Sequence, residues 1–113
     1  METGRVTTQH LDRDVWLVTA VGEHDLAVSP SIGDTLDDLE RRFGTRIVVD
    51  LTPAEFIDST VIAALARHSD RHDRVIVVVP PDSFARRLFH FFHLEDQLEL
   101  AENVDDARAR MET

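Results

Sequence analysis

The fold is decided by residues 46–66, which read RIVVDLTPAEFIDSTVIAALA. The first six of these residues form a nearly continuous apolar run, and a second such run follows at residues 75–79. Strands without polar alternation are usually covered on both faces, as in parallel or mixed sheets between helices. A helix over residues 59–72 lies between the two runs and is long enough for a right-handed crossover. The stretch therefore predicts an α/β fold in which residues 52–57 form a connection.

The other segments add a hairpin, three helices and a short strand. Residues 6–10 and 15–21 read as two strands joined by a polar turn. Ser29 before Pro30 is an N-cap signal, and the helical spacing of apolar residues after it predicts a helix that Gly44 ends. The last three elements are a helix capped by Asp82 through about residue 91, a strand around residues 98–100, and a helix opened by Asn103 through about residue 110.

These elements follow one another in the order β-β-α-β-α-β-α-β-α. The order predicts an α/β fold, with a mixed sheet of about four to five strands and about four helices packed on it. A length of 113 residues suits a single hydrophobic core. We therefore expect one domain that spans residues 1–113.

The chain is strongly acidic, since 12 Lys and Arg against 22 Asp and Glu give a net charge of −10. This balance argues against general affinity for nucleic acid or an anionic membrane, because both need cations to neutralise phosphates. The sequence has no cysteine, which excludes disulfides, thiolate metal sites and cysteine nucleophiles. It shows neither a secretory signal pattern nor an apolar stretch of about 20 residues that could span a bilayer. A cytoplasmic location is expected.

Asp58, Ser59 and Thr60 stand at the predicted start of the helix that follows the connection. Asp58 can cap this helix, with its carboxylate accepting the backbone N–H of Thr60 or Val61. The same helix start favours an anion, and a phosphoryl group on Ser59 would bring about −1.5 to −2 charge units to a surface turn. Capping and phosphorylation are compatible, so the residues alone leave both interpretations open.

Histidine and serine patterns do not support metal binding or catalysis. His68 and His72 lie four apart on the predicted helix, but arginines surround them and the H-E-x-x-H pattern is missing, so we expect a solvated helix face. Glu23, His24 and Asp25 are expected to lie in a solvated loop. The sequence contains no G-x-S-x-G motif and no glycine-rich phosphate loop. We expect no enzymatic activity, no catalytic residue, no metal and no cofactor.

A dense aromatic segment follows the second apolar run. Its large apolar residues, which cannot all share one narrow helical stripe, are Phe84, Leu88, Phe89, Phe91 and Phe92. We expect most of them to pack on the sheet, with Phe89 or Phe92 left partly exposed as part of a partner surface.

Three parts of the chain resemble STAS domains of the bacterial anti-sigma-factor antagonist family. Residues 22–27, GEHDLA, are similar to the family's G-E-x-D-x-A stretch after its second strand. Residues 47–51 and 56–60, IVVDL and FIDST, resemble its strand, loop and D-S-[ST]-G phosphorylation motif. Residues 86–89 and 93–96, RRLF and HLED, resemble its late helix and the turn before its last strand. The element order also matches, so the resemblance covers essentially the whole chain.

The resemblance implies a regulatory switch that binds other proteins. In that family the unphosphorylated protein binds an anti-sigma factor that is also a serine kinase, and thereby frees a sigma factor. The kinase phosphorylates the serine after the aspartate, which maps to Ser59 here with Thr60 as the second choice, and a serine phosphatase resets the switch. ATP and Mg²⁺ would belong to the kinase partner. The partner-binding residues that the resemblance implies are Glu23, Asp25, Asp58, Ser59, Thr60, Val61 and Ile62.

Val61 departs from the family pattern, because glycine usually follows D-S-[ST], and Ile62 replaces the usual leucine. Glycine would let a partner backbone approach closely, and a branched valine narrows that approach although it suits a helix that packs on a sheet. This leaves a second hypothesis, a non-switching STAS binding or scaffold module such as a lipid-transport complex subunit or a stressosome-like component. A small-ligand sensor is a third. No pattern in the sequence indicates an oligomeric state.

Overall fold

The computed structural model describes residues 4–12, 14–24, 30–43, 46–71 and 74–112. A short 3-10 helix, Leu94–Asp96, precedes the last strand. The strands are β1 (Arg5–Asp12), β2 (Val15–His24), β3 (Arg46–Asp50), β4 (Ala54–Ile57), β5 (Arg74–Val78) and β6 (Glu99–Ala101). The helices are α1 (Pro30–Phe43), α2 (Ser59–Arg71), α3 (Phe84–Phe91) and α4 (Val104–Met111).

The described strands form one six-stranded mixed sheet in the order β1-β2-β3-β5-β6, with β4 paired to the far end of β2. β1 and β2 form an antiparallel hairpin, and β2, β3, β5 and β6 run parallel to one another. The predicted α/β fold, with its mixed sheet and about four helices, is confirmed.

The strand β4 is an addition to the predicted sheet, because residues 52–57 were expected to form only a connection. β4 pairs in parallel with the end of β2, where Ala54 lies opposite Gly22 and Ile57 opposite His24. The pairing includes a register shift after Gly22, whose positive φ of 83° suits a residue without a Cβ. It also extends β2 beyond its predicted end at residue 21. Four residues that pair with a distant strand show no local alternation that a sequence prediction could use.

The central strand β3 shows why the apolar run in the sequence is uninterrupted. Ile47 and Val49 contribute to the core that lies under α1, α2 and α3, whereas Val48 contributes to the core under α4. Successive side chains of a strand point to opposite faces, so both faces of β3 are buried. The sequence prediction that helices cover the sheet on both sides is confirmed.

The helix caps differ in part from the prediction. Asn103 caps α4 as expected, with its side chain accepting the backbone N–H of Asp106 over 2.8 Å. The cap of α3 is Ser83 and not Asp82, because the Ser83 hydroxyl accepts the backbone N–H of Arg86 over 3.1 Å. The predicted cap Ser29 and stop Gly44 lie outside the described residues.

The expectation that most of the aromatic segment packs on the sheet is wrong. Phe89 is fully buried and Leu88 is half-buried, but Phe84, Phe91 and Phe92 are 40%, 72% and 50% exposed. α3 has only eight residues, and its buried side chains are Ala85 and Phe89. These two residues are four apart and share one face, which leaves the other rings outside the core.

Candidate functional site

The position of Asp58 is set by β4, which ends one residue before it. Ile57 is buried in the core and pairs with His24 at the end of β2. The backbone N–H of Asp58 then donates to the carbonyl oxygen of His24 over 3.1 Å. Asp58 therefore leaves the sheet at a defined place, directly in front of α2.

The carboxylate of Asp58 caps α2. Its Oδ1 accepts the backbone N–H of Thr60 over 3.0 Å and that of Val61 over 3.2 Å. The backbone carbonyl of Asp58 accepts the N–H of Ile62 over 3.3 Å, which starts the helical hydrogen bonds. The first N–H groups of a helix have no partner within the helix, so the carboxylate satisfies two of them and places a negative charge at the positive end of the helix dipole. The capping interpretation of Asp58 is confirmed.

Ser59 and Thr60 are the first two residues of α2, and both are exposed. A kinase active site needs an accessible hydroxyl on a short segment that it can surround. The first turn of α2 presents two such hydroxyls beside the Asp58 carboxylate. The geometry therefore allows modification of either residue at the surface.

Val61 and Ile62 lie on the inner side of α2, with 0% and 8% of their side-chain surface exposed. Both belong to the core cluster between the sheet and helices α1 to α3. These two side chains therefore lie in the core and not at the surface, and a role of the two positions in partner binding stays a prediction. A partner that approaches the start of α2 does not meet the branched Val61 side chain, so the replacement of the family's glycine does not narrow the approach.

The end of β2 places Glu23 and His24 differently from the expected solvated loop. Glu23 is half-buried and lies opposite Phe56 of β4, while His24 is fully buried. The His24 Nε2 atom lies 3.0 Å from the carbonyl oxygen of Val21, and because a carbonyl only accepts, this nitrogen carries the hydrogen. Both residues belong to β2, and the His24 carbonyl is the acceptor of the Asp58 N–H. Asp25 lies outside the described residues.

An aromatic pair beside the site was not identified from the sequence. Phe56 of β4 and Phe84 of α3 are stacked, with ring centroids 5.8 Å apart and planes inclined by 26°. Each is 40% exposed. The sequence places Phe56 two residues before Asp58, which is the one local sign that it lies near the site. The exposure of the Phe56 ring depends on how β4 pairs with β2, which the sequence does not show.

His68 does not lie on a solvated face, as was expected, but is fully buried between α1 and α2. Its Nε2 lies 3.1 Å from Oδ1 of Asp37, and its Nδ1 lies 3.8 Å from Oε2 of Glu40. The three residues bring one ligand atom each to within 4.8 Å of one another. The two carboxylates of α1 lie near different nitrogens of the buried ring, so His68 of α2 is in contact with both of them. His72 lies outside the described residues.

A surface cavity of about 270 Å³ lies where β2 and β3 begin, at the other end of these strands from Ser59. Its lining includes the first residues of β2 and β3, Val15 and Arg46, and residues of both charge signs such as Asp14 and Arg108. The cavity is therefore separate from the start of α2. No helix within the described ranges combines the length and the apolar character needed to cross a bilayer.

Comparison with known proteins identifies a family model and similar structures. The model for the STAS domain matches residues 6–107. The crystal structure of an anti-sigma factor antagonist from Mycobacterium paratuberculosis has a TM-score of 0.88 at 22% identity, over 98% of this chain and 96% of that chain. The anti-sigma factor antagonist SpoIIAA in its unphosphorylated form has a TM-score of 0.71 at 16% identity, over 96% of this chain and 98% of that one.

The Bacillus cell fate determinant SpoIIAA in its phosphorylated form has a TM-score of 0.66 at 18% identity, over 95% of this chain and 99% of that one. At these identities the likeness shows that the fold is shared over nearly the full length of each structure. No curated protein sequence matches the chain.

Proposed function

Since the chain belongs to the STAS domain family, we propose that it is an anti-sigma-factor antagonist whose binding is switched off by phosphorylation at Ser59. In this proposal the unphosphorylated chain binds an anti-sigma factor that is also a serine kinase, and so frees a sigma factor. A serine phosphatase restores the unphosphorylated chain. The kinase supplies ATP and Mg²⁺, so this chain needs no cofactor and no catalytic residue. A cytoplasmic location belongs to the same proposal, because a sigma factor acts there.

The observation that carries the proposal is the exposed Ser59 hydroxyl directly after the capping Asp58. The local sequence is similar to the D-S-[ST] motif of the antagonist family, and it lies at the surface, where a kinase can reach it. Thr60 is also exposed and is the second candidate. The motif favours Ser59 because it directly follows the aspartate.

The hydrogen bonds of Asp58 suggest how a phosphoryl group would act. The N–H groups of Thr60 and Val61 already donate to the Asp58 carboxylate, so a phosphoryl group on Ser59 cannot use them without displacing the cap. It would remain at the surface beside another negative group, with about −1.5 to −2 charge units. A docked partner would have to remove its water and tolerate its charge. Binding would be weakened while the fold is kept.

The direct test is to incubate the chain with ATP and the kinase-type anti-sigma factor from the same organism, and to measure its intact mass. We expect the mass of one phosphoryl group on the wild type and on Thr60→Ala, and none on Ser59→Ala. A pull-down of the partner before and after the reaction should show binding only before it. Undiminished phosphorylation of Ser59→Ala would refute the assignment. A chain that binds the partner but gains no mass would be a non-switching binding module.

A further inference from the structure

The Phe56–Phe84 pair forms a small aromatic platform next to the proposed phosphorylation site. The rings come from different elements, yet they are stacked at a centroid distance of 5.8 Å, within the range of favourable aromatic pairs. With 40% of each side chain exposed, the pair offers ring surface to a partner. Buried aromatic residues are common at protein interfaces, and exposed ones outside an interface are costly to hydrate.

One carboxylate lies beside this platform. Glu23 lies opposite Phe56 in the register of β2 and β4, so the two side chains are neighbours on the same face of the strand pair. The carboxylate of Glu55 lies on the opposite face of β4, because Glu55 directly precedes Phe56 in the strand. Within the part of the chain that the structure describes, Glu23 forms no ion pair.

The arginine side chains of α3 bind backbone carbonyl groups. Arg86 donates to the carbonyl oxygen of Val79 over 2.7 Å, and Arg87 donates to that of Asp82 over 3.2 Å. Both guanidinium groups therefore bind backbone carbonyls of the segment between β5 and α3. The platform combines exposed aromatic rings with negative charge that the described residues do not neutralise.

We propose that the Phe56–Phe84 platform, together with Glu23, binds an arginine side chain of a protein partner. A guanidinium group is planar, stacks on aromatic faces and donates in a fork that fits a carboxylate, so it matches both features of the platform. The inference rests on the proposed function only in naming that partner as the anti-sigma factor. The recognition of arginine itself does not depend on phosphorylation.

The platform and the phosphorylation site occupy different elements. Phe56 and Glu23 belong to the strand pair in front of Asp58, whereas Ser59 begins α2 after it. An arginine on the platform therefore contacts the strand pair and α3. A phosphoryl group on Ser59 weakens binding through the water and charge that it adds at the helix start, so the two effects are separable by mutation.

The first test uses a small probe in place of the partner. The ring NMR signals of the six phenylalanines are followed while acetyl-Leu-Arg-Leu-amide is added, and the same peptide with citrulline is the uncharged control. We expect the signals of Phe56 and Phe84 to shift with the arginine peptide only, and those of the exposed Phe91 and Phe92 to stay in place. Equal shifts with citrulline, or shifts at Phe91 and Phe92 as well, would overturn the proposal.

Variants then test the named residues. Phe56→Leu keeps apolar area but removes the ring, and Glu23→Gln keeps the shape but removes the charge. Each substitution should lower the affinity for the arginine peptide about three- to five-fold, which corresponds to the loss of one cation–π or exposed ion-pair contact. Phe92→Leu should bind like the wild type, and circular dichroism melting of each variant verifies folding. A folded Phe56→Leu that binds arginine as well as the wild type would refute the platform.

The same variants separate this inference from the proposed function. With the anti-sigma partner, Phe56→Leu and Glu23→Gln should lower the affinity of the unphosphorylated chain, while Ser59→Ala should keep that affinity and lose phosphorylation. If Ser59 is not phosphorylated but the platform variants lose arginine and partner binding, the switch fails and the platform stands. If Ser59 is phosphorylated and the platform variants bind normally, the platform fails and the switch stands.

Discussion

The Oδ1 atom of Asp58 accepts the backbone N–H of Val61 over 3.2 Å, while the Val61 side chain is completely buried. The backbone N–H of Val61 thus binds the helix cap, while its side chain packs in the core. This arrangement fixes the first turn of α2 and leaves the two residues between them, Ser59 and Thr60, exposed. The start of the helix is capped and packed against the core, and yet it presents hydroxyl groups to solvent.

Asp58→Ala should lower the free energy of unfolding by about 0.5–2 kcal/mol, because two N–H groups at the start of α2 lose their acceptor. Asp58→Asn is the matched control, since its amide oxygen can accept the same bonds without a charge. It should retain most of the stability. Chemical denaturation of the three proteins provides the measurement, and an Asp58→Ala variant as stable as the wild type would remove the capping role.

Ser59→Asp should fold nearly as well as the wild type but bind the anti-sigma partner more weakly. A negative charge in the first turn of a helix is favourable for the helix dipole, by about 0.3–1 kcal/mol, so the fold tolerates it. Ser59→Asn has almost the same shape without the charge and should bind better than Ser59→Asp. Titration calorimetry with the partner compares the three, and equal affinities would contradict a charge-controlled switch at this residue.

Val61→Gly, which restores the residue common in the antagonist family, should destabilise this chain. The buried side chain is lost, and glycine within a helix costs about 1 kcal/mol relative to alanine. Val61→Ala should cost about 2 kcal/mol through loss of core contacts, and Val61→Gly roughly 1 kcal/mol more. Thermal and chemical unfolding measure both variants. Since Val61 does not reach the surface, phosphorylation of Ser59 should be no faster in Val61→Gly, and a clear acceleration would show that the residue limits kinase access.

Glu99 makes a pH-dependent contribution to stability. Its hydrogen bond to Arg74, with Arg74 Nε 3.0 Å from Oε1 and Nη2 2.8 Å from Oε2, lowers the pKa of the Glu99 carboxyl below its usual 4.5, while burial opposes the shift. A carboxyl whose pKa is lowered by folding stabilises the fold above its unfolded pKa, and this contribution is lost as the pH falls from 4.5 through the folded value.

Glu99→Gln should therefore be less stable than the wild type near neutral pH, by about 1 kcal/mol or less because the pair is partly solvated. The difference should shrink as the pH is lowered below the usual carboxyl pKa of 4.5. Urea unfolding of both proteins across this range gives the measurement, with Glu102→Gln, at the exposed residue directly after β6, as the control. A difference that stays constant with pH would contradict the linkage.

Local patterns account for the parts of the fold that were predicted correctly. The uninterrupted apolar run of β3 reflects a strand buried on both faces, and Ile47, Val48 and Val49 alternate between two cores as expected. The caps Asp58 and Asn103 were predicted correctly because each acts on N–H groups two or three residues away. Such interactions depend on sequence neighbours and leave a signal in the sequence itself.

Interactions between distant residues account for the errors. His24 and His68 were expected in solvent, but His24 is covered because β2 continues into a pairing with β4, and His68 is covered where α1 crosses α2. Phe84 and Phe91 were expected in the core, but the short α3 turns only one face to the sheet, whereas the partial exposure of Phe92 agrees with the prediction. In each case burial depends on which distant element lies above the residue.

By itself, then, the sequence determined the α/β class, the order of most elements and the capped start of α2 with Ser59 beside Asp58, because these follow from periodicity and from contacts within a few residues. The tertiary structure alone decided that β4 pairs with β2, that Val61 faces inward and that Phe56 meets Phe84 at the surface. Those arrangements join segments far apart in the chain, and their energies depend on shared burial that no local pattern records.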